Sequence, residues 1–191
     1  MISKAVKLQE TSSFIREWLK SPLVTASVVP SSRRLARKMV RGLHAGMGQV
    51  IELGPGTGVF TRELLAIGIP ESALVLIELN GRFAADLKQK YPAATVVNGA
   101  AEAMSHLQLK RAGAVVSGLP FLSMKDRQID AILEAAFQVL EQDGVFVQFT
   151  YGHRCPVRRE ILERHRLFSS RDSFVLNNFP PASVYHLKRK P

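Results

Sequence analysis

From residue 49 onward the chain alternates short runs of apolar, mostly β-branched residues with longer stretches whose apolar positions recur at helical spacing. The runs over 50–53, 74–79, 95–97, 114–117 and 145–151 read as strands, and the stretches over 59–67, 82–90 and 127–141 as helices. Strand runs separated by helical stretches are the mark of βαβ units on a parallel sheet. Gln142-Asp143-Gly144 offers a stop for the third helix. Beyond it, 155–165 reads as a helix, and strands over 174–176 and 184–187 flank the turn-rich Asn177-Asn178-Phe179-Pro180-Pro181. The fold class is α/β.

Two more helices are expected upstream. In the first, Leu8, Phe14, Ile15, Trp18 and Leu19 share one stripe, Lys7, Arg16 and Lys20 lie at its edge or opposite, and Ser21-Pro22 ends it. Such a basic helix bearing a tryptophan suits a membrane surface; a lid packed over a ligand is the other reading. The second opens after Pro30 with Ser31 or Ser32 as N-cap. It sets Leu35, Met39, Val40 and Leu43 among Arg33, Arg34, Arg37, Lys38 and Arg41. Ordinary packing against the sheet accounts for that pattern. The chain thus divides into a basic helical extension, 1–48, and an α/β domain, 49–191.

Charge sharpens this division. Of the net +10, residues 1–48 carry +7, residues 49–150 carry −3 and residues 151–191 carry +6. Basic ends around a mildly acidic middle suit a polyanion, either nucleic acid or an anionic membrane surface. The single cysteine, Cys155, excludes an internal disulfide framework and suits a reducing compartment. No apolar run reaches the roughly 18 residues that span a bilayer, and residues 1–9 lack a secretory pattern. A cytoplasmic location follows as the expectation. The five histidines have no metal-ligand spacing, so no metal is expected.

The sharpest chemical signal is Glu52-Leu53-Gly54-Pro55-Gly56-Thr57-Gly58, directly after a strand and before a helix. Glycines permit the sharp turn and let a ligand approach the backbone, while a helix N-terminus offers free amides. A G-x-G-x-x-G dinucleotide turn would need glycine where Val59 stands, and the Gly-Lys-Ser/Thr of a P-loop is absent. Glu52 would repel a pyrophosphate but suits a cationic ligand. A second acid, Glu78, ends the next strand, where a carboxylate can accept hydrogen bonds from both hydroxyls of a ribose.

These residues resemble the class I S-adenosylmethionine-dependent methyltransferases. The resemblance implies a Rossmann-like, mostly parallel seven-stranded sheet with the last strand antiparallel, and S-adenosylmethionine as the cofactor. It implies that Gly54, Gly56 and Gly58, with Glu52 and Thr57, surround the methionine half, and that Glu78, followed by Leu79, holds the ribose. After the third strand the family often shows Gly-Asp-Ala, whereas this chain has Gly99-Ala100-Ala101, with Ala100 in the aspartate's place. Adenine recognition then falls to the backbone of Gly99, Ala100 and Ala101, with Asn98 or Glu102.

After the fourth strand comes Ser117-Gly118-Leu119-Pro120-Phe121, which should face the reacting methyl group. Amino-methylating relatives carry Asn/Asp-x-Pro-aromatic here, and Gly118 takes the polar position, which argues against adenine N6 chemistry. Ser117, Gly118 and Leu119 are the candidate catalytic residues. Tyr151, His153 and Glu102 are candidates for accepting a proton or steadying an ammonium.

Several stretches together resemble the small soluble bacterial phospholipid N-methyltransferases. They are Trp18 to Pro22, Val29 to Arg33, Glu52 to Thr61, Ser117 to Phe121 and Asn178 to Ala182. The resemblance implies stepwise methylation of phosphatidylethanolamine toward phosphatidylcholine, by an enzyme peripheral on the inner face of the cytoplasmic membrane. Phe14, Trp18, Leu19, Lys20 and Arg33 are the expected membrane contacts. The main rival is an rRNA adenine N6-dimethyltransferase, which would also explain the charge but lacks here a sizeable C-terminal RNA-binding domain. A cofactor-binding module without turnover is a third possibility.

Overall fold

The computed structural model describes residues 33–176, Asn178 and residues 180–191. The helix expected from Leu8 to Lys20, with Phe14, Trp18 and Leu19, lies outside the described residues, as do the caps Ser31 and Ser32. The elements are α1 (Arg33–Met39), β1 (Gln49–Leu53), α2 (Val59–Ala66), β2 (Leu74–Glu78), α3 (Gly81–Lys90) and β3 (Thr95–Asn98). They continue with β4 (Ala112–Ser117), α4 (Asp126–Val139), β5 (Leu140–Tyr151), α5 (Arg159–Arg164), β6 (Leu167–Val175) and β7 (Ala182–Arg189).

The strands form one sheet in the order β3-β2-β1-β4-β5-β7-β6. β1 to β5 are parallel, and β7 runs antiparallel to both neighbours. This is the Rossmann-like class I arrangement. Alternation along the central strands supplies two apolar faces. Val50, Leu76, Val116 and Val147 pack with Leu35 and Met39 of α1 and Leu64 of α2. Ile51, Leu53, Ile77 and Val115 pack with Ile129, Ile132 and Leu133 of α4. The strand order reverses between β1 and β4, so a crevice opens beyond their carboxyl ends.

Among the boundaries that differ from expectation, three have a clear cause. α4 stops at Val139, because Leu140 already pairs with Ala112 before the register slips to Ala114↔Val145. Gln142-Asp143-Gly144 is therefore an irregular, mostly exposed start to β5 and not a helix stop. The helix expected from Cys155 begins only at Arg159, since the residue before Pro156 is disfavoured in helical conformation. β6 reaches back to Leu167, a length hidden by Ser169-Ser170-Arg171-Asp172; as the sheet's edge it tolerates polar side chains.

Gly113 marks a tight joint at the start of β4, at the edge of the sheet opposite the crevice. A Cβ there would run into the Met47 carbonyl oxygen. Gly113→Ala should cost about 1–3 kcal/mol of stability, read as a lower urea midpoint at unchanged slope.

Candidate active site

The glycine turn leaves β1 and enters α2. Gly54 and Gly58 have φ of 65° and 76°, a region that L side chains avoid. The Gly54 N–H donates to the Ile77 carbonyl at 2.9 Å, tying the turn to β2. At the end of β2, Glu78 Oε2 accepts the Gly56 N–H at 3.0 Å, and Oε1 accepts the Asn80 N–H at 2.8 Å. Both carboxylate oxygens are thus held by backbone, and each keeps a lone pair for a further donor. Asn80 also caps α3, accepting from the amides of Arg82 and Phe83.

A cleft of about 150 Å³ lies beside this brace. Gly54, Glu78, Leu79, Gly99, Ala100 and Ala101 line it together with Glu102, Leu119, Met124 and Gln128. Leu79 is 73% exposed, an apolar face held open above the cleft. The small side chains at 99–101 leave width for a flat ring. Asn98 spends its amide on the carbonyls of Glu78 and Leu79, at 2.8 and 3.0 Å, so it braces the turn, whereas Glu102 faces the cleft. Met124 and Gln128 went unread in the sequence because they come from the approach to α4 and its first turn, where no motif marks them.

Gly56, Thr57 and Gly58 lie in the turn behind the cleft, and Glu52 lies deeper still. Glu52 is wholly buried at the end of β1 and does not line the cleft. The Thr61 hydroxyl donates to its Oε2 at 2.6 Å, while Oε1 has no hydrogen-bond partner among the described residues. Burial pushes the carboxyl up from 4.5 to about 7, with the Thr61 bond pulling the other way. The folded state therefore holds a proton where the unfolded chain has lost it. The stability this gives is whole below about pH 4.5 and falls, by on the order of 3 kcal/mol, as pH rises toward 7. Glu52→Gln should flatten that slope, which urea midpoints across the range would read.

The loop after β4 meets the glycine turn through backbone at Gly118 and through the Leu119 side chain, which packs against Gly54. The Gly118 N–H donates to the Leu53 carbonyl at 2.8 Å. A Cβ at 118 would stand 2.8 Å from the Gly54 carbonyl oxygen and 3.3 Å from that of Leu53. Glycine at this position is thus a packing requirement. Ser117 is wholly buried, and its Oγ accepts the Leu119 N–H at 3.3 Å, so its hydroxyl folds back on the loop. The Leu119 carbonyl accepts from Gln148 Nε2 at 2.9 Å, and the same amide group donates to the Phe149 carbonyl at 2.7 Å. Gln148 is fully buried on β5 and its Oε1 has no hydrogen-bond partner among the described residues. A lone glutamine among Val145, Phe146, Val147 and Phe149 was the available signal for it. Gln148→Leu should free the Leu119 carbonyl and lower kcat about tenfold or more while cofactor affinity holds, since misplacing a loop costs positioning.

Tyr151 and His153 do not join this group. Tyr151 sits edge-on to Phe149, ring centroids 5.5 Å apart, on the sheet face of α1 and α2, and burial pushes its phenol up to about 12. His153 is exposed beyond β5, where its carbonyl accepts the Tyr185 hydroxyl at 2.6 Å. Among the described residues, no group of three or more His, Cys, Asp or Glu could hold a metal ion.

Comparison with known proteins agrees with this geometry. Residues 50–144 match the model of a methyltransferase domain. An ornithine lipid N-methyltransferase from Singulisphaera acidiphila is 31% identical over 184 residues, covering 90% of this chain and 92% of that protein. TrmN from Thermus thermophilus shares the fold with a TM-score of 0.63 at 15% identity, over 86% of this chain. This chain spans about half of that protein, 51%. The glycopeptide N-methyltransferase MtfA, solved with S-adenosylmethionine, gives a TM-score of 0.61 at 15% identity, over 85% of this chain and 96% of that one. The chain belongs to the S-adenosylmethionine-dependent class I methyltransferases, in a family with a lipid N-methyltransferase.

Proposed function

We propose that this protein transfers methyl groups from S-adenosylmethionine to the amine of a membrane lipid. The observation that carries the reading is the backbone contact between Gly118 and the Gly54 turn. It bars from position 118 the side-chain acceptor on which adenine-methylating relatives rely, and it sets the apolar Leu119 in the wall of the cleft. The near end-to-end likeness to a lipid N-methyltransferase supports the same substrate class.

When bound, S-adenosylmethionine would supply a methyl carbon on a positively charged sulfur: an amine lone pair takes that carbon, the C–S bond breaks to release the neutral thioether S-adenosylhomocysteine, and the product ammonium gives up a proton to solvent before the next transfer. The protein's part is binding and alignment. Glu78, fixed by Gly56 and Asn80, accepts the ribose hydroxyls with its remaining lone pairs. Gly54, Gly56, Thr57 and Gly58 bring backbone to the methionine half, with Glu52 beneath them. Leu79 and the 99–101 backbone flank the adenine, and Glu102 accepts from its amine. Ser117, Gly118 and Leu119, steadied by Gln148, bound the space where a neutral amine must lie in line with the methyl group. Tyr151 and His153 do not line the cleft, and take a role only if the headgroup extends toward β5.

Phosphatidylethanolamine is the first headgroup to test. Ornithine lipid is the second reading, favoured by the relative. Both present a primary amine. The enzyme works at the inner face of the cytoplasmic membrane, with Phe14, Trp18, Leu19, Lys20 and Arg33 meeting lipid; among the described residues no helix is long and apolar enough to cross it. Labelled S-adenosylmethionine incubated with vesicles of either lipid, in parallel with rRNA, tests the reading. Label in one or both lipids supports it, and label in RNA alone refutes it.

A further inference from the structure

We infer that the groove between α1 and the end of β6 is a docking surface for an anionic phospholipid bilayer. The inference rests on the lipid-amine reading above but concerns a different part of the molecule. Arg34, Arg37, Lys38 and Arg41 follow one another at i, i+3, i+4 and i+7, so they form one stripe along α1 and the turn after it. The opposite stripe, Leu35, Ala36 and Met39, is fully buried against the sheet. With Phe174, Val175 and Leu176, the four cations line a groove of about 530 Å³.

Among the described residues its charge is only partly answered. Glu63 lies 3.7 Å from Arg37 and Asp172 lies 3.9 Å from Arg41. Arg34 and Lys38 have no carboxylate within ion-pair reach among the described residues. Phe174 and Leu176, by contrast, are apolar and 45% and 70% exposed. Cations beside protruding apolar side chains match a surface of phosphates over hydrocarbon. A nucleic acid would satisfy the cations but gain nothing from Leu176.

The groove also faces the right way. Val175 pairs with Ala182, which pairs with Tyr151 at the carboxyl end of β5. The apolar rim is therefore at the same edge of the sheet as the ends of β1 and β4, where the cleft opens. A bilayer seated on it would present headgroups along the edge that holds the methyl-transfer loop. The expected packing role of the second helix is correct for its buried face and incomplete for its exposed one.

Binding of the full chain to vesicles, measured by flotation without cofactor, tests this independently of turnover. Each basic group near an anionic leaflet strengthens binding about fivefold. Arg34→Gln/Lys38→Gln should therefore weaken binding to vesicles of phosphatidylethanolamine and phosphatidylglycerol about 25-fold. It should change neither Tm nor methylation of a short-chain, monomeric aminolipid. Leu176→Ser, on the other wall, should weaken the same binding and lessen its persistence at high salt. Unchanged vesicle binding in both variants overturns the inference, and so does loss of RNA binding with vesicle binding intact. Loss of vesicle binding in a protein that methylates no aminolipid supports the groove and refutes the lipid-amine reading instead.

Discussion

Glu78→Gln should raise the dissociation constant for S-adenosylmethionine about 10–100-fold. Three roles converge on that carboxylate: accepting the Gly56 amide, accepting the Asn80 amide and, in the proposed complex, accepting the ribose hydroxyls. Glutamine keeps one acceptor oxygen and places an N–H₂ where the other stood, so one backbone donor or one ribose donor is left facing a donor. Hydrogen bonds to charged groups contribute about 1.5–3 kcal/mol each, which matches the expected range. Circular dichroism should stay native, because the change lies at a strand end outside both apolar clusters. Calorimetry showing unchanged affinity in the folded variant would mean that the ribose lies elsewhere.

Gly118→Asn should cut kcat by about a hundredfold and confer no adenine methylation. Introducing the polar residue of adenine-methylating relatives looks, from sequence alone, like a conversion of specificity. The backbone contact makes it a wedge. The new Cβ would meet the Gly54 carbonyl oxygen at 2.8 Å, and neither partner is a flexible side chain that can swing aside. The methyl-transfer loop and the glycine turn must then part, and displacement of about 1 Å is enough for a loss of that size. Gly118→Ala should show most of the same effect. A variant that retained full rate on lipid would mean that the contact is dispensable.

The elements that the residue pattern revealed are those in which local chemistry and tertiary role agree. β1, β2 and β4 are mostly apolar, Glu52 and the strand ends apart, because both faces of the sheet are covered, and the turn after β1 needs its glycines whatever surrounds it. Glu78 stood out as an acid ending an apolar strand, and the structure sets it in the lining of the cleft. What stayed hidden depends on neighbours distant in sequence. The early start of β5 at Leu140 is imposed by pairing with Ala112, twenty-eight residues upstream. The polar stretch of β6 is tolerable only because the strand is an edge. Glu52 read as an acid facing a cationic ligand, yet its side chain is sealed under the turn against Thr61, and no periodicity separates the two outcomes. Gln148 shows the same limit: its use becomes visible only when β5 is laid beside the loop that follows β4.

The measurement closest to the central claim is mass spectrometry of lipids recovered after incubation of the purified chain with S-adenosylmethionine and vesicles. The vesicles should combine an aminolipid, an anionic lipid and phosphatidylcholine. The account predicts that the aminolipid gains successive increments of one methyl group, that phosphatidylcholine is unchanged because its nitrogen has no lone pair, and that Glu78→Gln slows every step. Absence of any methylated aminolipid, with label carried instead into rRNA offered in the same reaction, would contradict it.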